Sequence, residues 1–308
     1  MRKVIVIIAG VGWLSVSVSR GAQSFVVPNG SFELPTTGFA SPLINSWQKS
    51  AKPDWYVEDG STYLWSQLTG EFKNDPPISP NYIDNCDGNQ GAWMFAVREV
   101  SLFQDYDSKS ANEPAPTHAF NVLYEVGKAY HLTVAVMGGV TNYGLQDGAT
   151  VQFALYYRDA ASNTVIVAET TVTNDSETLF TNHTHFLDFS AHTPPVRAGD
   201  AWAGEHVGIM LSSSITDTNL EGGYWDLDNV RLSATLVPSL TEPAWNNGQF
   251  SFTLSSETGM VFEIQATTNV NALNWTSIGF ITNATGAARF TNSGVMAGRS
   301  FFRARAVP

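Results

Sequence analysis

A chain of 308 residues has room for two domains and a sizeable core. Its formal charge of −12 leaves no basic surface of the kind nucleic acid demands, and its single cysteine, Cys86, excludes an intrachain disulfide. The acidity belongs to the middle of the chain. The first twenty residues carry Arg2, Lys3 and Arg20, and the stretch from residue 240 onward holds four arginines against three glutamates.

Arg2 and Lys3 precede an apolar run from Val4 to Val18, and small residues follow around Ser19 to Ser24. This pattern predicts a secretory signal peptide over residues 1–24. The run is short for a bilayer span, and no later stretch is long and apolar enough, so no membrane span is expected after cleavage. The chain is expected to be a bacterial protein, secreted or held at the cell surface.

Val27-Pro28-Asn29-Gly30-Ser31-Phe32-Glu33 opens the next region. From Ser41 to Pro80 the chain is rich in Pro, Gly, Asn and Ser, and carries Trp47, Trp55, Tyr56, Tyr63 and Trp65. A loop of this length is either functional or hides short strands. Beyond it, apolar residues alternate at Tyr130, Leu132, Val134 and Val136, again at Val151, Phe153, Leu155 and Tyr157, and at Val207, Ile209 and Leu211. Thr164 to Ala168 is a β-branched run, and turn pairs such as Asp87-Gly88 and Asp147-Gly148 separate the segments. Tyr224-Trp225-Asp226-Leu227-Asp228-Asn229-Val230-Arg231-Leu232 reads as the last strand of this region. Residues 25–236 are therefore predicted to form an antiparallel β-sandwich, with the overall fold class all-β. Residues 237–244 read as a linker. Short alternating segments around Phe250, Phe262, Phe280, Phe290 and Phe301 predict a second, smaller sandwich over 245–308.

Residues two apart in a strand share a face, so Asp228 is expected to point inward with Val230 and Leu232. A buried carboxylate is costly without compensation. A structural calcium ion shared by Asp228 and Glu33, with backbone carbonyls, would supply it.

Aromatic rings offer flat apolar faces to sugars. Trp47, Trp55, Tyr63 and Trp65 are the candidates for stacking, with Tyr82, Tyr106 and Tyr143 behind them. Asp54, Glu58 and Asp59 are placed to hydrogen-bond sugar hydroxyls. For each ring the competing reading is core packing, which is assigned to Trp93 and Trp225. His183-Thr184-His185 with Asp188 offers a zinc reading against that of an exposed polar strand. No nucleophile elbow, metalloprotease helix, phosphate-binding loop or dinucleotide fingerprint occurs.

Asn29-Gly30-Ser31-Phe32-Glu33, the Asp87–Trp93 turn and strand, Gly127–Val134 and Trp225–Leu232 occur in that order. Over residues 25–236 the chain resembles the calcium-dependent jelly-roll carbohydrate-binding modules with a galactose-binding-like fold. It is also similar to the cyanobacterial Stig cyclases. The resemblance implies a jelly roll with calcium at Glu33 and Asp228, although Asn229 stands where many relatives carry a second acid. Residues 245–308 resemble a C-terminal module common in secreted proteins of Verrucomicrobia and Planctomycetes, which implies a fibronectin-like sandwich. The expected function is non-catalytic binding of an extracellular polysaccharide or glycan. The alternatives are a structural or adhesive surface protein, and a Stig-cyclase-like enzyme in which Asp226 or Asp228 donates a proton.

Overall fold

The computed structural model describes residues 5–7, 22–60, 62–109, 120–138, 144–179, 184–271, 274–292 and 300–307. Most of the predicted signal peptide, together with Tyr143 and His183, lies outside the described residues.

The described chain is all-β, with single 3-10 turns at Trp65–Gln67 and Thr218–Leu220. In chain order the strands are β1 (Ile5–Ile7), β2 (Gln23–Phe25), β3 (Ala40–Ser41), β4 (Gln48–Lys49), β5 (Thr69–Lys73), β6 (Gln90–Phe95), β7 (Ser101–Gln104), β8 (Lys128–Met137), β9 (Thr150–Arg158) and β10 (Thr164–Thr173). They continue as β11 (Leu187–His192), β12 (Gly208–Ser213), β13 (Tyr224–Leu236), β14 (Ser239–Asn246), β15 (Gln249–Ser255), β16 (Val261–Thr267), β17 (Thr276–Thr282), β18 (Ala287–Asn292) and β19 (Ser300–Val307). Two compact units result. The larger comprises Ser24–Val126 and Tyr130–Ser233, and the smaller is built chiefly from Ala234 onward, with Gly127–Ala129.

The larger unit is a sandwich of two antiparallel sheets. One runs β10-β9-β12-β7-β4; the other runs β11-β8-β13-β6-β5-β3, with β2 paired to β13. The chain passes repeatedly from one sheet to the other, as Greek-key and jelly-roll wiring requires. The predicted alternation supplies the core: Tyr130, Leu132, Val134 and Val136 of β8 and Val151, Phe153 and Leu155 of β9 are fully buried. Tyr157 departs from its pattern and is half-buried, while its neighbour Tyr156 is buried. The Tyr156 ring lies against Gly208 across the ladder, where a Cβ would sit 2.3 Å from it.

In the smaller unit, β14-β15-β18 form one sheet and β19-β16-β17 another, with β1 parallel to β19. Both sheets bury rings in one cluster: Phe250, Phe252, Phe262, Phe290 and Phe302, with Leu254 and Ile264. The segment expected as a linker, residues 237–244, instead holds most of β14. Leu240 packs on the apolar cluster, and the ladder shifts register between Thr241 and Ala244. That irregularity accommodates Pro243 on an edge strand, because a bulge needs no ladder donor at that position.

Candidate functional site

In β6, Ala92 and Met94 are buried, and Trp93 and Phe95 point to the other face of the sheet. β13 repeats the alternation in register: Trp225 pairs with Met94 and Leu227 with Ala92 on the core side, while Tyr224 pairs with Phe95 and Asp226 with Trp93 on the outer side. Each strand thus carries an apolar row inward and a second row outward. The outward rows floor a cleft of about 530 Å³, walled by Phe39, Pro42, Tyr63, Gln67, Phe72, Lys73, Asn74 and Ile83.

The rings form a continuous run. Tyr63 lies 5.3 Å from Phe95, and Phe95 lies 5.8 Å from Tyr224, centroid to centroid. Gly70 lets the Trp93 indole lie across β5, since a Cβ there would come within 2.2 Å of the ring. The indole N–H donates to the Gln67 carbonyl at 3.2 Å. Tyr63 is 60% exposed and Phe39 85% exposed, so ring faces remain open to solvent.

Asp226 sits among these rings with 2% exposure, and its Oδ1 has no hydrogen-bond partner among the described residues. Burial pushes its pKa far above the usual carboxylate range. Burial thus favours the protonated form, which can both donate and accept a hydrogen bond.

The cleft wall is fastened from behind. Lys49 Nζ donates to the carbonyls of Pro42, Ser66 and Thr69. Burial pulls this amine down to about 8, against the pull of the Glu71 charge. Glu71 is fully buried on the core side of β5, and burial raises it to about 8. Its Oε1 accepts from Asn29 Nδ2 at 3.1 Å, and Oε2 has no partner among the described residues. Asn29 also donates to the carbonyls of Leu34 and Asn45, which ties the N-terminal turn to the same frame.

The candidate stacking residues separate. Tyr63 lines the cleft. Trp47 is 1% exposed, packs on Phe32 and donates its indole N–H to the Asn29 carbonyl at 3.0 Å. Trp65 is 7% exposed and donates to the Ser50 carbonyl at 2.8 Å. Both are core rings, which corrects the expectation that they stack on sugar: a ring whose faces are covered has none to offer. Trp55 is half-buried, with the Arg98 guanidinium 4.1 Å over its face and its N–H on Glu99. Asp54 and Asp59 are exposed and do not line the cleft, and Glu58 accepts the backbone N–H of Trp65. Trp93, assigned to the core from its apolar strand, and Tyr224, not singled out from sequence, belong to the cleft. The available signal was the period-two spacing of Trp93 with Phe95 and of Tyr224 with Asp226.

Glu33 and Asp228 converge on one turn, Cys86–Gln90. Asp228 Oδ2 accepts the Asp87 N–H at 2.7 Å and Oδ1 accepts the Asn229 N–H at 2.6 Å. Glu33 Oε1 accepts the N–H groups of Asn89 at 2.8 Å and Gln90 at 2.7 Å. Gly88, at φ +101°, makes this approach possible, since a Cβ would stand 2.5 Å from Glu33 Oε1. Asp228 does not share the face of Val230 and Leu232. It continues the parity of Tyr224 and Asp226, and Asn229, at φ +47° in the left-handed region, breaks the alternation beyond it. Burial raises the Asp228 carboxyl to about 8. No Lys or Arg pairs with either acid among the described residues. Carboxylate oxygens are hard donors of the kind calcium takes. Among the described residues no group of three or more His, Cys, Asp or Glu side chains gathers to hold a metal, so backbone carbonyls would have to complete any such shell.

His185 Nδ1 meets Asp84 at 2.6 Å, and Asp188 pairs with Arg231, so these two residues are not brought together as a zinc pair. Burial and neighbouring carboxylates push the Cys86 thiol up, so it is not an activated thiolate.

No family model matches the chain, and no curated protein matches it. Solved structures show distant similarity. An apo-form cyclase from Fischerella sp. aligns with TM-score 0.49 and 18% identity, covering 72% of this chain and 100% of that one. A Stig cyclase from Fischerella sp. TAU aligns with TM-score 0.48 and 19% identity, covering 70% and 99%. The N-terminal CBM22-1–CBM22-2 tandem domain of Paenibacillus barcinonensis Xyn10C aligns with TM-score 0.40 and 9% identity, covering 95% and 87%.

Proposed function

We propose that the larger sandwich binds an extracellular glycan in the cleft, without turnover. The observation that carries this reading is the open run of Tyr63, Phe95 and Tyr224 beside Trp93, set around the buried carboxyl of Asp226. Rings give apolar faces to the C–H surface of a sugar, while Gln67, Asn74, Asn81 and Asp226 offer hydrogen bonds to hydroxyls. The net charge of −12 favours a neutral polysaccharide over an anionic one. Calcium held by Glu33 and Asp228 would neutralise the charge buried beneath the Cys86–Gln90 turn and stiffen that side of the sheet. Export by the N-terminal signal would place the protein outside the cell.

The test is a glycan array followed by calorimetry on the full chain. Trp93→Ala should abolish binding of whatever neutral glycan the wild type retains, with the fold intact by circular dichroism. Absence of any glycan binding at about 1 mM would hand the case to the structural or adhesive reading.

Asp226 favours one second reading, a cyclase-like enzyme. A buried carboxyl among aromatic rings, its pKa raised by burial and its Oδ1 without a partner among the described residues, would also suit a proton donor for a small unsaturated substrate. Asp226→Asn separates the two. It keeps hydrogen bonding and should spare glycan affinity to within about tenfold, whereas acid catalysis would be lost.

A further inference from the structure

Away from the cleft, two imidazoles meet near the opposite edge of the same sheet. The cleft is floored from β13 to β3, whereas β11 is the edge strand beyond β8. His192 on β11 is the register partner of His131 on β8. Directly opposed residues of an antiparallel pair hold their Cβ atoms about 4.5–5.5 Å apart, so their side chains meet. Here the ring centroids are 4.7 Å apart at 69°, and the two Nδ1 atoms face each other at 2.5 Å.

At that separation one Nδ1 donates and the other accepts, so a single proton lies between two nitrogen lone pairs aimed at one point. Burial, and then the neighbouring imidazole, hold His131 below the ordinary histidine value. The neutral ring is the form that ligates metals. The next pair on this face, Thr133 and Ser190, is closed on itself by a hydroxyl contact of 2.8 Å. Beyond it Asp188 pairs with Arg231.

We propose that His131 and His192 form a two-point chelating site for a divalent first-row transition-metal ion. The ion replaces the proton between the facing nitrogens, and the ring that carried it is protonated at Nε2 instead, so both ligating rings stay neutral. A tetrahedral ion at about 2.0–2.1 Å from each nitrogen holds its ligands roughly 3.3 Å apart. His192 is exposed, so a small rotation of its ring opens the gap to that distance. Water completes the shell. Imidazole nitrogen selects zinc, nickel or copper over calcium, which prefers oxygen, so this site is chemically distinct from the Glu33 and Asp228 pair. Loading ties the edge strand β11 to β8 and stabilises the folded state by mass action. None of this depends on what the cleft binds.

The experiment is calorimetric titration of the untagged full chain with Ni²⁺, together with a thermal melt in its presence. The wild type should bind one equivalent and melt higher. His192→Gln and, separately, His131→Gln should each weaken binding by about tenfold or more and remove the thermal shift. His185→Gln should leave both unchanged. Wild-type affinity in both pair variants, or no Ni²⁺ binding by the wild type at about 1 mM, overturns the proposal.

Discussion

The two units use the same strand alternation to different ends. In the smaller one the large rings turn inward: Phe250 stacks on Phe302 at 4.4 Å, Phe252 on Phe290 at 5.3 Å, and all four are buried. In the larger one, β6 and β13 carry large side chains on both faces, with Met94 and Trp225 in the core and the rings of Trp93, Phe95 and Tyr224 in the cleft. An aromatic residue in a strand therefore says little about its role until the covering layer is known. Stability and binding should be separable in the larger unit and inseparable in the smaller.

The largest expected effect tests the inward rings. Phe252→Ala in the smaller unit and Trp47→Ala in the larger should each cost about 3–5 kcal/mol of stability, read by chemical denaturation. A loss below about 1 kcal/mol for either would mean that the ring is not a core element.

The outward rings should behave in the opposite way. Trp93→Ala or Tyr224→Ala should weaken ligand binding by about 1–3 kcal/mol while shifting the melting temperature little. Gly70→Ala sharpens the point, because its new Cβ must displace the Trp93 ring. It should cost about 1–3 kcal/mol of stability and weaken binding too, although the residue itself touches no ligand.

A pH series distinguishes the units again, because the raised carboxyls Glu71 and Asp228 both belong to the larger one. Their folded values, about 8, lie above the ordinary carboxylate values of 4.5 and 3.8. The folded state thus binds more protons, and this contribution to stability is present at low pH and lost as pH rises toward 8. Lys49, lowered from 10.5 to about 8, acts only above that window and with the opposite sign. Melting temperature in chelator should fall from pH 5 to pH 8, and Asp228→Asn should flatten the slope. Added Ca²⁺ should also flatten it if the Glu33 and Asp228 site is filled; an unchanged slope would remove calcium from the proposal.

The smallest effects belong to the exposed acids. Asp54→Ala and Asp59→Ala should change stability by no more than about 0.5 kcal/mol and leave glycan affinity unaltered. A larger loss of affinity would relocate the binding face to the loop around Trp55.

Much of this architecture was legible in local pattern. Alternating apolar residues from Tyr130 to Val136 and from Val151 to Leu155 mark strands buried on one face, since the period-two geometry of an extended chain leaves few other ways to cover them. Tyr63 was recognisable as a ring in a long polar loop, and Glu33 and Asp228 as acids bracketing one sandwich. Pairing and packing decided the rest. Trp47 and Trp93 are both tryptophans in short segments, yet one is sealed under Phe32 and the other lies open over Gly70. Asp226 becomes a cleft acid only because it is paired with Trp93, and Asp228 leaves the face of Val230 because one left-handed residue, Asn229, reverses the pleat. His131 and His192, separated by sixty-one positions in the chain, meet only through a strand register. Local sequence determines which residues share a face; which face is covered, and by what, is a long-range property of how the sheets assemble.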